Sequence, residues 1–137
     1  TELNGGDANH PGDGGFIAKF SDGTVTNASW KAQTFYIAPL ASVDCVTETG
    51  TSRNSSGCPT TSSAGLKSYA LHWAIPSNWF ATDFDFATWP SASLFTESAV
   101  GPKNAYTNFS QQFSGASFIW SSNLILDNLV LLRFIGK

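Results

Sequence analysis

The chain has 137 residues, among them 11 Phe, 5 Trp and 3 Tyr, and only 12% of its residues are charged. A chain of this length forms one domain and can bury roughly two thirds of its unfolded surface. The aromatic-rich, charge-poor composition favours an all-β extracellular domain over a cytosolic helical one. The net charge is −3 with no cluster of Lys or Arg, which excludes nucleic acid and anionic membrane surfaces as partners. No apolar run approaches the roughly 20 residues of a transmembrane helix, so no membrane span is predicted.

The first fifteen residues are rich in glycine and contain only one large apolar side chain, Leu3. Such a segment cannot bury enough apolar surface to order itself. We therefore expect a flexible N-terminal arm over residues 1–15, or an arm that docks on another surface, followed by a β-sandwich domain over residues 16–137. The chain begins at Thr1 and contains no Met, which we interpret as a mature chain whose signal peptide has been removed.

Two strands are predicted in the first part of the domain. Residues 16–20 have the composition of a first strand, and the Asp22-Gly23 pair after it favours a tight hairpin. Residues 33–40 have the apolar and β-branched content of another strand, which we expect to end at Pro39.

Cys45 and Cys58 are the only cysteines, and they bracket a polar insert that is almost entirely turn-forming. We predict a disulfide between them, which would contribute about 3 kcal/mol in the chain-entropy model. A metal site is the rival interpretation. It fails because His10 and His72 are far apart in the sequence and no C-x2-C spacing exists, so neither a metal nor another cofactor is predicted.

Three sequons agree with a secretory route. Asn27, Asn54 and Asn108 each begin an N-x-S motif without proline, and each is a candidate N-glycosylation site. Disulfides persist mainly in oxidising, extracellular compartments. The sequons and the predicted disulfide together predict a secreted glycoprotein.

Residues 69–75 alternate large apolar side chains with Ala and His, the period-two pattern of a strand. His72 then lies on the face opposite the aromatic residues. It has no second His, no Cys and no acidic residue near it in the sequence. We therefore interpret His72 as a satisfied or exposed residue and not as a metal ligand.

Residues 78–90 concentrate aromatic side chains around a short acidic turn, with rings at positions 79, 80, 84, 86 and 89. The small and β-branched residues between the rings do not favour a helix. We predict a loop whose rings close one end of a β-sandwich, with Asp85 turning the backbone through an Asx-type hydrogen bond.

Within this loop, the run from Phe84 and Asp85 to Trp89 and Pro90 resembles the Phe-Asp-Asp-Ser-Ser-Trp-Pro signature of galactose-binding-like jelly-roll modules. Two further resemblances are the Asp-Gly-Thr turn at 22–24 with Trp-Lys at 30–31, and the Ile-Trp pair at 119–120. The resemblance covers roughly residues 16 to 135 and implies a single jelly-roll β-sandwich in which residues 84–90 form a structural corner.

This sequence departs from the signature at two positions. Phe86 stands in place of the second aspartate, and Ala87 in place of the first serine. The corner is therefore expected to be held by packing more than by hydrogen bonds. No sugar-binding residues carry over from the family, because those lie in variable loops.

The rest of the chain alternates strands and connections. Short strands are predicted at 93–95 and 117–120, separated by a polar connection over 104–115. Residues 124–135 are apolar on both faces, interrupted only by Asp127, Asn128 and Arg133. We expect this last strand to be central or covered, or to pair with another molecule.

Evidence for catalysis is thin. Asp83 and Asp85 are the only closely spaced carboxylates, and side chains at i and i+2 share a face of an extended segment. Asp85, however, already has a structural role in the predicted turn. No nucleophile motif and no phosphate loop is present, so we expect a protein that is not an enzyme.

Two functions of different classes follow. The first is a structural subunit of an extracellular filament or matrix, self-associating through its N-terminal arm and C-terminal strand. The alternative is a lectin-like module that binds glycans, for which the candidate contact residues are Trp73, Trp79, Tyr106 and Gln111.

Overall fold

A computed structural model, which describes residues 14–60 and 69–136, places seven strands in three antiparallel sheets over that part of the chain. This confirms the all-β class; the jelly-roll arrangement stays a prediction. The strands are β1 (Lys31–Leu40), β2 (Thr47–Thr49), β3 (Ser52–Asn54), β4 (Tyr69–His72), β5 (Ser93–Phe95), β6 (Phe118–Trp120) and β7 (Asp127–Arg133). Two single-turn helices, α1 (Glu97–Val100) and α2 (Asn104–Thr107), lie between β5 and β6.

The main sheet has the order β4-β1-β7, so β1 is its central strand. Seven of the ten residues of β1 are buried or nearly so, as expected of a strand with neighbours on both sides. β1 continues through Pro39 to Leu40, one residue beyond the predicted stop, and the Ala38–Pro39 peptide is cis. β7 pairs antiparallel with β1, with Lys31 opposite Arg133 and Gln33 opposite Leu131.

Three hydrophobic clusters pack around this sheet. The first contains Phe16, Trp30, Ala32, Ala92, Ile119, Val130, Leu132 and Phe134. The second contains Phe35, Trp73, Phe84, Phe86, Trp89, Leu129 and Leu131. The third contains Ile37, Leu40, Cys45, Val46, Cys58, Leu71, Trp73 and Leu126. Successive residues of β7 alternate between the first two clusters, so both faces of this strand are covered.

The predicted first strand is only partly formed. Phe16 and Lys19 make isolated bridges, to Ile119 and Val25, and no continuous ladder runs between them. The turn that follows does close as expected: the Phe20 N–H donates to the Thr24 carbonyl at 2.8 Å. Gly23 has φ of 88°, which glycine adopts without steric cost.

The chain between β5 and β6 differs from the predicted irregular connection. It contains α1, α2 and a 3₁₀ turn over Ser110–Phe113. α1 is capped by Thr96, whose side chain accepts the Ala99 N–H. The sequence did not predict these single turns. They bury no continuous apolar stripe, so this polar segment has no apolar periodicity from which a helix could be recognised.

Gly14 and Gly15, the last two residues of the predicted arm, are part of the fold. The Gly14 N–H donates to the Leu124 carbonyl at 2.8 Å. A Cβ at Gly14 would collide with that carbonyl and with the Trp120 ring nitrogen, so only glycine fits there. Residues 1–13 of the predicted arm lie outside the described residues.

Candidate functional site

The predicted disulfide is present. Cys45 and Cys58 are bonded, with a Cα–Cα distance of 5.1 Å. Cys58 is buried in the third cluster, beside Ile37 and Leu126. The bridge therefore closes the segment that carries the β2–β3 hairpin and anchors it to the core of the main sheet.

The corner at residues 84–90 has the predicted backbone turn. The Asp85 Oδ1 accepts the Ala87 N–H at 2.9 Å, an Asx-type hydrogen bond. Trp89 is buried, with the Phe84 ring at 5.5 Å and the Phe35 ring at 5.9 Å between centroids. The Pro90 carbonyl accepts the Ala32 N–H, which joins the corner to β1.

Arg133 holds the loop over residues 78–90, which we call the aromatic loop, against β7. The sequence analysis missed this role. Its guanidinium donates to the Trp79 carbonyl at 2.7 Å and to the Ala81 carbonyl at 2.9 Å. It also lies 4.7 Å from the centroid of the Phe86 ring. The available signal was a single arginine among the apolar residues of 129–135.

Asp127, the first residue of β7, was also missed. It is 1% exposed and its carboxylate accepts four hydrogen bonds. The donors are the hydroxyls of Ser55 at 2.5 Å, Ser121 at 2.7 Å and Ser122 at 3.1 Å, and the Asn123 N–H at 3.1 Å. Burial raises the pKa of the Asp127 carboxyl above its ordinary value, and these hydrogen bonds oppose the shift.

The outer edge of β7 has no strand beside it in the described part of the chain. The Ala32 N–H donates to Pro90, so the Ala32 backbone faces away from β7. Antiparallel partners alternate between pairs that exchange backbone hydrogen bonds and pairs that do not. Ala32 is opposite Leu132, and Thr34, whose backbone faces the same way as that of Ala32, is opposite Val130. Both are therefore pairs that do not exchange backbone hydrogen bonds, and in such pairs the backbone groups of the two residues point away from each other. The backbone groups of Leu132 and Val130 therefore point to the outer edge.

A cavity of about 400 Å³ lies at the C-terminal end of this edge. Phe20 borders it from the side of the first cluster, and Phe80 from the side of the aromatic loop, with Leu132, Arg133 and Phe134 between them. Both phenylalanines are solvent-exposed, Phe20 at 47% and Phe80 at 69%. We call these five residues the edge groove. An open strand edge flanked by side-chain pockets is the geometry used in recognition by strand addition.

The structure does not bring the four predicted sugar-contacting residues together. Trp73 packs in the core with the Arg53 guanidinium 4.5 Å from its ring, and Trp79 contacts Phe80. Tyr106 packs against Phe118, whereas Gln111 is exposed in a 3₁₀ turn. None of the four lines the edge groove or the two other cavities, of about 360 and 200 Å³.

The two residues of the acidic pair, Asp83 and Asp85, do not line one cavity together. Asp83 and Asp85 are both exposed. Asp85 borders a largely apolar cavity of about 360 Å³ next to Phe84, Phe86 and Ile135, but Asp83 does not line it. His72 is exposed, with its ring 6.4 Å from that of Tyr36.

The three sequon asparagines lie at or near the surface. Asn54 and Asn108 are exposed and Asn27 is half-buried. The side-chain oxygens of Asn27 and Asn54 accept the N–H groups of Ser29 and Ser56, at 2.8 and 2.9 Å.

Comparisons with protein-family models, with curated proteins and with solved structures found no match to this chain. In the described residues, no helix has both the length and the apolar character that a membrane crossing requires. Over the same residues, no three His, Cys, Asp or Glu side chains come close enough to hold a metal ion together. The edge groove is therefore the feature from which a function is best argued.

Proposed function

We propose that this protein is a secreted, non-catalytic structural subunit that assembles into an extracellular filament or matrix by strand addition at the outer edge of β7. The observation that carries the proposal is the edge groove. Both faces of β7 contact the protein's own clusters, whereas no strand of the described chain pairs with its outer edge, and two exposed phenylalanines line the cavity at its C-terminal end. The disulfide is typical of the oxidising compartments in which such proteins work.

The free energy gained in this contact is close to the cost of bringing two molecules together. An added strand would satisfy the outward backbone groups of Val130 and Leu132, each hydrogen bond contributing about 0.5 to 1.5 kcal/mol net. Burying the rings of Phe20 and Phe80, which are only 47% and 69% exposed, would add about 0.7 to 2 kcal/mol each. Bringing two molecules together costs about 4 to 15 kcal/mol. The contact is therefore weak for one pair of subunits and needs high concentration or repetition along a polymer.

The donor that we propose is the segment 1–13 of a second copy. Gly14 is held at Leu124, near the beginning of β7, whereas the edge groove lies at the other end of this strand. Thirteen residues can span at most about 45 Å, more than the roughly 23 Å length of a seven-residue strand. The donor and acceptor surfaces differ, so the contact is head-to-tail and its product is an open filament unless the rotation closes a ring.

Deletion of residues 1–13 tests the proposal. Intact protein should form larger species as concentration rises, detected by light scattering and electron microscopy, and the deletion variant should remain monomeric. A synthetic peptide of residues 1–13 should then bind the deletion variant, and a peptide of the same composition in scrambled order is the control.

Each other result would contradict a different part of the proposal. If both forms are monodisperse monomers at high concentration, self-assembly is wrong. If the deletion variant still assembles, the donor is wrong and pairing of two β7 edges takes its place.

Glycan binding remains the second candidate, but no observation places its four candidate residues in one site. A glycan array with monomeric protein decides between the two functions. Sub-millimolar binding to a defined sugar, retained in the deletion variant, would favour the lectin-like module.

A further inference from the structure

A small polar cavity of about 200 Å³ lies beside the first half of β1, on the side that faces away from β7. Ala32 and Pro90 both line it, and the Ala32 N–H donates to the Pro90 carbonyl there. It is smaller than the roughly 300 to 1,000 Å³ typical of sites for drug-sized ligands, so its size suits a small ion or one small chemical group. We call this cavity the polar pocket, and its polar lining includes Thr34, Ser52, Arg53, Ser91 and Ser93.

Arg53 places a half-buried cation in the wall of the polar pocket. Its Nη1 donates to the Thr34 carbonyl, and both residues line the pocket. The Arg53 Cζ lies 4.9 Å from the centroid of the Phe35 ring and 4.5 Å from that of the Trp73 ring. These contacts hold the guanidinium in one place. The bond to Thr34 uses one of its several N–H groups, which leaves others for a ligand.

The charge of Arg53 has no counter-ion within the described part of the chain. Glu48 is opposite Arg53 in the β2–β3 hairpin, but the two side chains form no ion pair. Burial lowers the pKa of the Arg53 guanidinium, and the charge of Glu48 opposes this shift. Removing a charge from water is costly unless a group of opposite charge takes the place of the water. A bound anion would supply that group.

Serine hydroxyls add uncharged donors to the polar pocket. The hydroxyls of Ser52, Ser91 and Ser93 make no hydrogen bond to other described residues, so each can donate to a ligand. Among the described residues, no Asp or Glu lines the pocket. One fixed cation with several hydroxyl donors and no acidic side chain matches a small oxyanion, whereas a metal cation would require acceptors.

We propose that the polar pocket binds one tetrahedral oxyanion, sulfate or phosphate, with the Arg53 guanidinium as its charged partner and serine hydroxyls as further donors. The planar guanidinium can pair with two oxygens of such an anion through parallel N–H groups. The oxyanion is either a free ion or the end group of an ester, such as a sulfated sugar. The polar pocket and the edge groove share no lining residue, so this site does not depend on the proposed function.

One carboxylate behind the pocket wall limits the affinity. The hydroxyls of Ser121 and Ser122 line the polar pocket but donate to the Asp127 carboxylate, at 2.7 and 3.1 Å. Asp127 is 1% exposed and does not line the pocket, and the donors around it spread its charge. A carboxylate at this position still disfavours a nearby anion. We therefore expect binding in the low millimolar range.

The first test follows the site by NMR. The ¹⁵N-labelled protein is titrated with sodium sulfate and, separately, with sodium phosphate, at an ionic strength held constant with sodium chloride. The Arg53 Nε–H and the Trp73 ring N–H should shift and saturate. The Arg133 Nε–H is the internal reference, because that guanidinium is already engaged by two carbonyls of the aromatic loop. Shifts that do not saturate, or that are equal at Arg53 and Arg133, would mean an adventitious ion only and overturn the proposal.

Two variants give an independent measurement. Arg53→Lys keeps the charge but loses the fork of N–H groups, and Ser93→Ala removes one donor. Each should weaken sulfate binding by about tenfold, as expected for the loss of one hydrogen bond to a charged group. Ser98→Ala is the matched control, because this exposed serine of α1 lies outside the polar pocket. Unchanged affinity in Arg53→Lys, or in Ser93→Ala should the lysine variant not fold, would overturn the proposal.

A sulfated monosaccharide distinguishes the two sources of the oxyanion. Tighter binding of glucose 6-sulfate than of inorganic sulfate would assign an ester end group, and equal or weaker binding would assign the free ion. Either result requires a saturable site, so the absence of saturation by every probe overturns the proposal. Light scattering measures assembly and these titrations measure the polar pocket, so failure of the proposed function and failure of this inference are separate results.

Discussion

Asp127 joins three parts of the molecule at one carboxylate. Its donors come from Ser55 after the disulfide-bridged hairpin and from the turn between β6 and β7. Asn123 strengthens the same junction by donating from its side chain to the Ser55 carbonyl at 3.1 Å. A buried carboxylate with four donors is costly to desolvate but rigid once formed, so it specifies how the hairpin sits on the sheet.

The raised pKa of Asp127 predicts a pH dependence of stability. Because the pKa is higher in the folded than in the unfolded protein, the folded state binds the proton more tightly. This contribution to stability is fully present below the unfolded pKa and is lost as pH rises through the folded pKa. Asp127→Asn removes the titrating group. The quantity to follow is the free energy of unfolding of the wild type minus that of the variant. It should fall as pH rises from about 3, near the ordinary pKa of a carboxyl group, and then level off. Urea denaturation from pH 3 to 7 measures it, with circular dichroism to verify the fold, and a difference independent of pH contradicts the prediction.

The corner at residues 84–90 allows two neighbouring residues to be compared. Trp89 is 6% exposed and packs with three phenylalanine rings, so Trp89→Ala should cost about 3 to 5 kcal/mol of unfolding free energy. Asp85 is exposed and makes one local hydrogen bond, so Asp85→Ala should cost only about 0.5 to 1.5 kcal/mol. Chemical denaturation of the two variants tests the ranking. Equal costs would contradict the ranking and show that the Asx turn contributes as much to the corner as the ring packing does.

At the scale of elements, β7 combines two covered faces with one open edge. Natural proteins usually protect such edges with charges, proline or a covering segment. Within the described residues no strand pairs with the outer side of β7, and the charge of Arg133 is engaged by the carbonyls of the aromatic loop. The apolar faces make this strand stable within one molecule, and the edge makes it available to another.

Blocking the edge without disturbing the faces is the corresponding test. Val130→Pro removes an outward N–H while keeping a side chain of similar size, and proline is tolerated where the N–H of an edge strand faces solvent. Val130→Ala is the matched control, because it loses side-chain packing but keeps the N–H. The proline variant should remain monomeric at concentrations where the alanine variant assembles, as measured by light scattering. Assembly of both variants to the same extent would exclude the edge as the contact.

At the scale of the whole molecule, the disulfide and the three sequons make a joint prediction about the protein from its natural source. Reduction should raise the intact mass by two hydrogens, because Cys45 and Cys58 are bonded. Enzymatic deglycosylation should lower it by the mass of at least one glycan. A mass equal to that of the bare, reduced chain would remove the basis for a secretory route.

What could be predicted from the sequence depended on short-range signals. The all-β class follows from composition and period two. The Asx turn at Asp85 spans two residues, and the disulfide joins the only two cysteines across a polar loop. Each of these has its physical cause within a few residues or in the composition, so no knowledge of the fold was needed. A first strand was predicted over residues 16–20, but only isolated bridges form there, from Phe16 to Ile119 and from Lys19 to Val25. A strand needs a paired neighbour, and the local sequence does not show whether one is present.

The tertiary structure decided the features that rest on distant partners. Asp127 meets Ser55 across 72 residues, and Arg133 reaches the Trp79 carbonyl across 54. The open edge of β7 exists because the sheet ends there, and the unpartnered oxygen of Gln33 exists because its amide nitrogen is held by carbonyls of β1 and the β2–β3 turn. In the sequence these residues are a charge or an amide within apolar runs. Only folding gives them burial and direction, since the free energy of a buried polar group is set by the partners that the fold brings to it.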